Sequence, residues 1–405
     1  LHADGVPVIT GPWDLGATYE AMGVSRTRLV LANLGDAENT NITLTIRELD
    51  ADVPIACIAE HSDSVDVLEL SGASHVLALK HDLAEQLAAR IAVGTPQAHR
   101  IGHYKDVIIA EFPLYHTSLS GRTIRDTKLR ELTGLNVVGV WERGKLLPAG
   151  PDTLLSKNSV PVIVGTEDQM TELDALFVIY TPNENPVVVI GGGKVGCDTA
   201  RALRKRGIPV NILEKDPEIA ATIGSVAERV VVGDAANLES LMDAGLGQAP
   251  SVVLTTKDDA ANIFLVVYCR RLNPEVHIVS RITREWNLEA IYRAGADFVL
   301  SYASLAVKSV LSLVEDRELV LLGEGADLFV EPVPPALAGK TLAESGIGAS
   351  TGLNVIAVQH DEATTTNPSA ETELPRDGEL VMIGTAEQHR RFGQTFGAVP
   401  ARRLG

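Results

Sequence analysis

From residue 186 onward, short apolar runs alternate with stretches in which apolar residues recur every three or four positions. The runs are PVVVI (186–190), PVNILE (209–214), RVVVG (229–233), SVVLTT (251–256), HIVSR (277–281) and DFVL (297–300). Runs of this length, separated by helical patterns, predict parallel strands joined by crossover helices. Six of them suit a doubly wound sheet in the order 3-2-1-4-5-6. Earlier in the chain only four such runs occur, VPVIT, RLVLAN, PIACIAE and HVLAL. Each α/β region is followed by a different pattern with strand-turn-strand character, NVVGVWERGK and NVIAVQHDEA, which predicts a small α+β domain.

The two regions are copies of one another. VITGPWDLGATYEAMGV (8–24) falls on VVVGDAANLESLMDAGL (230–246) without a gap, with Gly11 on Gly233 and Gly23 on Gly245. DAENTNITLTIRELDADVPI (36–55) falls on DAANIFLVVYCRRLNPEVHI (259–278), and LSGRTIRDTKLRELTGLNVVGV (119–140) on LAGKTLAESGIGASTGLNVIAV (337–358). Copy one therefore matches only the last four strands of copy two and lacks the first two, a segment of roughly forty residues. Those two strands belong at the centre of the sheet, so its inner edges would leave unpaired backbone groups. Either the chain is a piece of a longer one, as a start at Leu1 rather than Met suggests, or another segment supplies the strands.

The chemistry concentrates where copy two is complete. GGGKVG places Gly191, Gly193 and Gly196 as GxGxxG between a strand and a helix, with Lys194 and Val195 inside the turn. The first glycine allows the tight turn, the second lets backbone approach a pyrophosphate, and the third lets helix and strand pack closely. Phosphate would then meet the amides of the helix N-terminus; the plainer alternative is a turn kept for packing. Glu214 ends the second strand, 18 residues after Gly196. There it can accept from both ribose hydroxyls and repel a 2'-phosphate, favouring NAD(H) or an adenosine phosphate such as ADP or ATP over NADP(H), an exclusion that Lys215 weakens slightly. Asp234, followed by Ala235, is a candidate for an adenine amino group or else a helix N-cap. Thr255 and Thr256 end strand four beside the glycine turn, as ligand contacts or as simple caps. Arg281 ends strand five, facing a phosphate or a surface ion pair. In copy one the positions of Asp234 and Arg281 hold Pro12 and Ile58, so any nucleotide there would be bound differently or not at all.

Composition narrows the classes. The 405 residues carry a net charge of -18, which argues against nucleic acid or an anionic membrane surface and favours cations as ionic partners. Cys57, Cys197 and Cys269 each lie inside an apolar element, as reduced thiols do. No apolar run reaches 18 residues and no basic-then-apolar pattern occurs, so none of this sequence is expected to span a bilayer or direct export. A metal site is left unknown: His61, His75, His81, His103 and His116, and the group His360, Asp361 and Glu362, have no recognised ligand spacing. The acidic run EDRE (315–318) reads as a solvated hinge, and TTTNPSAETELPRDG (364–378) as a polar, flexible loop.

GGGKVG, ILEKDPE, VVGDA, TTKDDAANI and SRITREWNLEAIYRAGADFVL together resemble the RCK domain, the regulator of K+ conductance, also called the KTN or TrkA N-terminal domain. The trailing LAGKTLAESGIGASTGLNVIAV and LSGRTIRDTKLRELTGLNVVGVWERG are similar to its small C-terminal partner domain. The resemblance implies four domains: a first Rossmann-like N-terminal domain at 1–105 without its first two strands, its C-terminal domain at 106–180, a second, nucleotide-binding Rossmann-like domain at 184–315, and its C-terminal domain at 316–395. It also implies a ligand-sensing module on the cytoplasmic face of the membrane, assembled as a tetramer of tandem chains into a ring of eight domains. A nucleotide, or a divalent cation such as Ca2+, would shift that ring and so control a K+ pore. Two copies in one chain look like the gating ring of a GsuK-type bacterial K+ channel, whose pore precedes the first copy.

Two other readings stay open. A peripheral subunit of a Trk/Ktr-type K+ uptake system would carry the same domains without a covalent pore. Upstream of Leu1, a two-helix pore with a selectivity filter would mark the channel, and an initiating Met before a short strand would mark the subunit. An NAD-dependent oxidoreductase would need a proton donor or acceptor near the nicotinamide; no convincing candidate is present, and the protein is expected not to be an enzyme.

Overall fold

The computed structural model describes residues 6–91, 98–112, 114, 117–142, 145–156, 159–176, 185–314, 326–361 and 363–397. The chain divides into two units, Leu1–Gln86 with Tyr302–Arg317, and Leu87–Ser301 with Glu318–Gly405.

The smaller unit holds α1 (Gly16–Met22), β1 (Val30–Ala32), α2 (Asp36–Leu49), β2 (Ile55–Ile58), α3 (Val65–Leu70), β3 (His75–Leu77) and most of α4 (Leu79–Ala89). Its strands form a three-stranded parallel sheet, β1-β2-β3. The run VPVIT, expected as a strand, is not one: residues 6–10 are exposed coil. Its counterpart in copy two, the strand Arg229–Val232, is held by the preceding strand Val210–Glu214, and no strand precedes the run among the described residues.

The larger unit begins with β4 (His99–Tyr104), β5 (Val107–Glu111), α5 (Ile124–Thr127), α6 (Leu129–Thr133), β6 (Asn136–Glu142), β7 (Lys145–Pro148), β8 (Val160–Gly165) and α7 (Glu167–Leu176). These strands form an antiparallel sheet ordered β4-β5-β8-β6-β7. The doubly wound region follows: β9 (Val187–Ile190), α8 (Lys194–Lys205), β10 (Val210–Glu214), α9 (Pro217–Thr222), β11 (Arg229–Val232), α10 (Leu238–Asp243), β12 (Ser251–Leu254), α11 (Asp259–Leu272), β13 (His277–Ile282), α12 (Leu288–Ala294) and β14 (Phe298–Ser301). All its strands pair in parallel in the order β11-β10-β9-β12-β13-β14, the 3-2-1-4-5-6 arrangement the apolar runs imply. The next helix, α13 (Tyr302–Val314), belongs with the smaller unit, where Arg28 donates to the Val314 carbonyl at 3.0 Å. The chain then forms β15 (Asp327–Pro332), α14 (Leu342–Ser345), α15 (Ile347–Thr351), β16 (Asn354–His360), β17 (Ala363–Thr366), β18 (Glu379–Gly384) and α16 (Ala386–Phe396).

The duplication reaches individual hydrogen bonds. Asp36 accepts from the backbone of Glu60 and His61 at 2.6 and 3.1 Å; its repeat partner Asp259 accepts from Thr283 and Arg284 at 2.8 and 3.0 Å. Arg47 donates to the carbonyls of Val53 and Gly72, and Arg270 to those of Val276 and Gly295. In each case a charged side chain at one end of a helix ties down backbone groups that the next loop would leave unpaired. The small domains match in the same way, with Thr123 and Thr341 capping α5 and α14.

Strands β15 to β18 form a second antiparallel sheet, ordered β15-β18-β16-β17, and the two antiparallel sheets share one core, in which Val138, Trp141 and Val162 pack with Ile356, Val381 and Ile383. Asn354 and Asn367 reinforce it by donating to the carbonyls of Val138 and Val164 at 2.7 and 3.0 Å. The segment 364–378, expected as a free polar loop, is instead tied down. It opens in β17, its Leu374 is fully buried, and Leu374 N donates to Lys340 O while Leu342 N donates to Thr372 O, both at 2.8 Å. One apolar residue in a polar stretch is enough to anchor it. The EDRE hinge lies outside the described residues.

Candidate functional site

Parallel strands bring their carboxyl ends to one edge of the sheet, and the crossovers leave β9 and β12 in opposite directions, which opens a crevice between them. The glycine turn enters this crevice from β9. Gly191 has φ +104, a conformation that a side chain resists. A Cβ on Gly196 would collide with the Gly191 carbonyl oxygen and lie 2.8 Å from Thr255 Oγ1, so the start of α8 packs on the turn only because position 196 has no side chain. Gly193 differs, since a Cβ there would meet nothing within 4 Å. The turn thus presents bare backbone to open space at one point and is close-packed at the others.

Gly193 is the N-cap of α8, and no side chain caps the helix or places a carboxylate in its first turn. Neighbouring α9 and α11 are capped by Asp216 and Asp258. The twelve-residue α8 therefore offers its first amides to the crevice, with the positive end of the helix dipole behind them. Lys194 lies partly buried at the mouth, with Nζ 3.8 Å from Asp198, and Val195 is buried beneath.

Glu214, the last residue of β10, is 7% exposed, and its carboxylate reaches into the glycine turn. It accepts from Gly192 N through Oε2 and from Asp216 N, at 2.9 Å, through Oε1. A carboxylate has about four lone-pair sites, so both oxygens retain an acceptor position for a sugar hydroxyl. Lys215, beside it, is exposed. Thr255 closes the other wall. Its Oγ1 donates toward Ile190 O and Gly191 O at 2.9 and 3.0 Å, making it a brace for the turn. Thr255→Val is expected to lower stability by about 1 kcal/mol, measured by urea unfolding, while leaving the overall fold intact.

The remaining candidates do not converge on the turn in the same way. Thr256 Oγ1 bonds Asn262 Oδ1 at 2.7 Å. Asp234 is exposed and accepts from Ala236 N at 2.8 Å, with Ala235 buried behind it. Arg281 is buried in β13, its guanidinium 3.4 Å from Thr283 Oγ1. Residues that the sequence reading passed over do more of the assembly. Gly192 supplies the N–H that holds Glu214, Cys197 Sγ lies 3.1 Å from Gly192 O, and Asn262 donates to the carbonyls of Thr256 and Arg281 at 3.0 and 3.1 Å. Burial pushes the Cys197 thiol up, so it is a packing group here rather than a nucleophile.

An adenosine diphosphate group suits this arrangement: uncapped amides and an open backbone for the phosphates, and a carboxylate with spare acceptor capacity for the sugar. No comparable group of ligands for a metal is present: among the described residues no three His, Cys, Asp or Glu side chains are placed to hold an ion. His61 pairs with Asp36 at 3.2 Å and His360 with Asp361 at 3.8 Å, while His116 and Glu362 lie outside the described residues. No helix among them is long and apolar enough to cross a membrane.

The TrkA-N domain model matches residues 1–79 and 187–302, and the TrkA-C domain model matches 109–178 and 328–397. The crystal structure of the GsuK RCK domain is 33% identical with a TM-score of 0.66, covering 98% of this chain and 86% of that one. A structure of the GsuK channel bound to NAD is 33% identical with a TM-score of 0.65, covering 98% and 72%. Potassium channel protein 1 of Methanocaldococcus jannaschii is 25% identical over 214 residues, which is 50% of this chain and 64% of that protein. The Trk system potassium uptake protein TrkA homolog of Archaeoglobus fulgidus is 25% identical over 311 residues, 75% of this chain and 70% of that protein.

Proposed function

The chain belongs to the family of tandem TrkA-N and TrkA-C domains, the RCK proteins, and from that membership we propose that it is a gating-ring module whose second copy binds an adenine nucleotide and thereby controls K+ conduction. The observation that carries this reading is the junction of uncapped α8, open Gly193 and the Glu214 carboxylate at the switch point of the sheet. Its support from relatives is the likeness, across 98% of this chain, to a channel solved with NAD. The ligand is NAD(H), ADP or ATP, held through the adenosine diphosphate part that they share, by Gly191, Gly193, Gly196 and Glu214, with Lys194 at the mouth and Thr255 bracing the turn.

Regulation requires that the nucleotide bind the conducting and closed arrangements with different affinity. The partner is a K+ pore at the cytoplasmic face of the membrane, and the assembly is a ring of four tandem chains. No turnover of NAD(H) is expected. The direct test is K+ flux through vesicles holding the full-length protein and its membrane partner, with and without each of NAD+, NADH, ADP and ATP. A change in flux with nucleotide supports the reading, and a flux indifferent to all four nucleotides rejects it. The likeness to the Archaeoglobus uptake protein favours a second reading, in which the same ring serves a separate Trk-type subunit. Flux that needs such a separate membrane subunit would select it.

A further inference from the structure

The loop after β12 lies against the glycine turn: a Cβ on Gly191 would come 3.5 Å from Thr256 N. Asn262, fully buried on α11, ties this loop to the carboxyl end of β13 by donating to the carbonyls of Thr256 and Arg281 at 3.0 and 3.1 Å. Its Oδ1 accepts from Thr256 Oγ1 at 2.7 Å, with Asp258 O a longer alternative for the hydroxyl at 3.2 Å. Thr255 N and Oγ1 both donate to Ile190 O and fasten the same loop to β9.

Copy one has the same bridge with one difference. Asn39 donates to the carbonyls of Leu34 and Ile58 at 3.3 and 3.0 Å, and its Oδ1 accepts from Leu34 N at 2.9 Å. By this pattern Leu34 stands where Thr256 stands. The amide oxygen that takes a main-chain N–H in copy one takes a hydroxyl in copy two, and among the described residues Thr256 N donates to no group. An unengaged N–H at the wall of a crevice is a ready contact for a ligand oxygen.

A doubly wound sheet takes a dinucleotide across its switch point, one half over each set of strands. The adenosine side falls to the Glu214 half, β9 to β11, and the loop after β12 opens the other half. A mononucleotide ends at its phosphates, so only a dinucleotide reaches past the turn to this N–H. On the reading that the crevice holds a nucleotide, we propose that Thr256 selects a dinucleotide over a mononucleotide: its hydroxyl occupies Asn262 Oδ1 and so keeps its own N–H for the second nucleoside half. Thr256 is a positioning residue through its side chain and a contact through its main chain.

Titration calorimetry of the intact chain with NAD+ and ADP reads this preference. Thr256→Val removes the hydroxyl and lets Asn262 Oδ1 capture the N–H, as Asn39 captures that of Leu34. NAD+ affinity is expected to fall about tenfold, the effect of one hydrogen bond, and ADP affinity to change by less than about threefold. Thr256→Ser keeps the hydroxyl and should leave NAD+ affinity within about threefold of wild type. Equal losses for the two ligands, unchanged NAD+ affinity in Thr256→Val, or a loss that Thr256→Ser repeats overturns the proposal, since a merely structural residue would weaken both ligands together. Wild-type protein that binds ADP but not NAD+ also overturns it and leaves the nucleotide reading standing, whereas binding of neither overturns both. Crystals of the wild type with NAD+ need no variant. An oxygen of the nicotinamide half within about 3.2 Å of Thr256 N supports the assignment, and a nicotinamide half directed away from the loop after β12 refutes it.

Discussion

Glu214→Ala is expected to weaken NAD+ binding by about 100-fold, because a buried carboxylate that accepts from sugar hydroxyls contributes about 1.5–3 kcal/mol per charge-assisted bond. Glu214→Gln should fall between, since the amide keeps one acceptor oxygen and loses the charge. The same carboxylate holds Gly192 N and Asp216 N, so its removal also loosens the turn. The two effects separate by ligand. Loss of sugar recognition spares inorganic pyrophosphate, whereas collapse of the turn lowers the affinity for every phosphate compound. Glu214→Gln should also narrow the preference for NAD+ over NADP+, because the 2'-phosphate no longer meets a negative charge. Titration calorimetry of NAD+, NADP+ and pyrophosphate on both variants checks all three expectations.

The second large effect is a contrast between two alanines three residues apart. Gly193 has φ -70 and open space around its would-be Cβ, so Gly193→Ala should fold with unchanged thermal stability. It places a methyl where the phosphates approach the backbone, and nucleotide affinity should fall by at least 30-fold, about 2 kcal/mol. Gly196→Ala should do the reverse in kind. Its methyl meets the Gly191 carbonyl and Thr255, and overpacking against backbone should lower stability by about 3 kcal/mol. Calorimetric unfolding together with nucleotide titration distinguishes the two. If both variants lose only stability, the glycines serve packing alone and the site reading fails.

Much of this architecture was legible in the sequence, for identifiable physical reasons. Parallel strands buried on both faces leave apolar runs such as VVVI and SVVL, and their spacing forces crossovers. The duplication was legible because glycines at turns and aspartates at helix starts recur in register, and the structure gives those aspartates and arginines equivalent backbone partners in both copies. VPVIT failed as a strand because strand formation depends on a neighbour, and no strand precedes it among the described residues. Leu374 was missed because a single apolar residue in a polar stretch has no period. In the site, Gly191, Gly196 and Glu214 were legible because their spacing along a strand-turn-helix-strand unit fixes their meeting. The work of Gly192 and Asn262 is done by a backbone amide and by an amide side chain that ties the loop after β12 to strand β13, and neither leaves a pattern.

The central claim is that the site in copy two takes an adenine nucleotide, one molecule per chain; at aligned positions copy one holds Pro12 and Ile58 where copy two holds Asp234 and Arg281. Titration calorimetry of the intact wild-type chain with NAD+, NADH, ADP and ATP tests it most directly. The expected result is saturable binding of at least one of them at one molecule per chain, abolished or strongly weakened by Gly193→Ala. Two molecules per chain, binding that survives Gly193→Ala unchanged, or no heat from any of the four would contradict it.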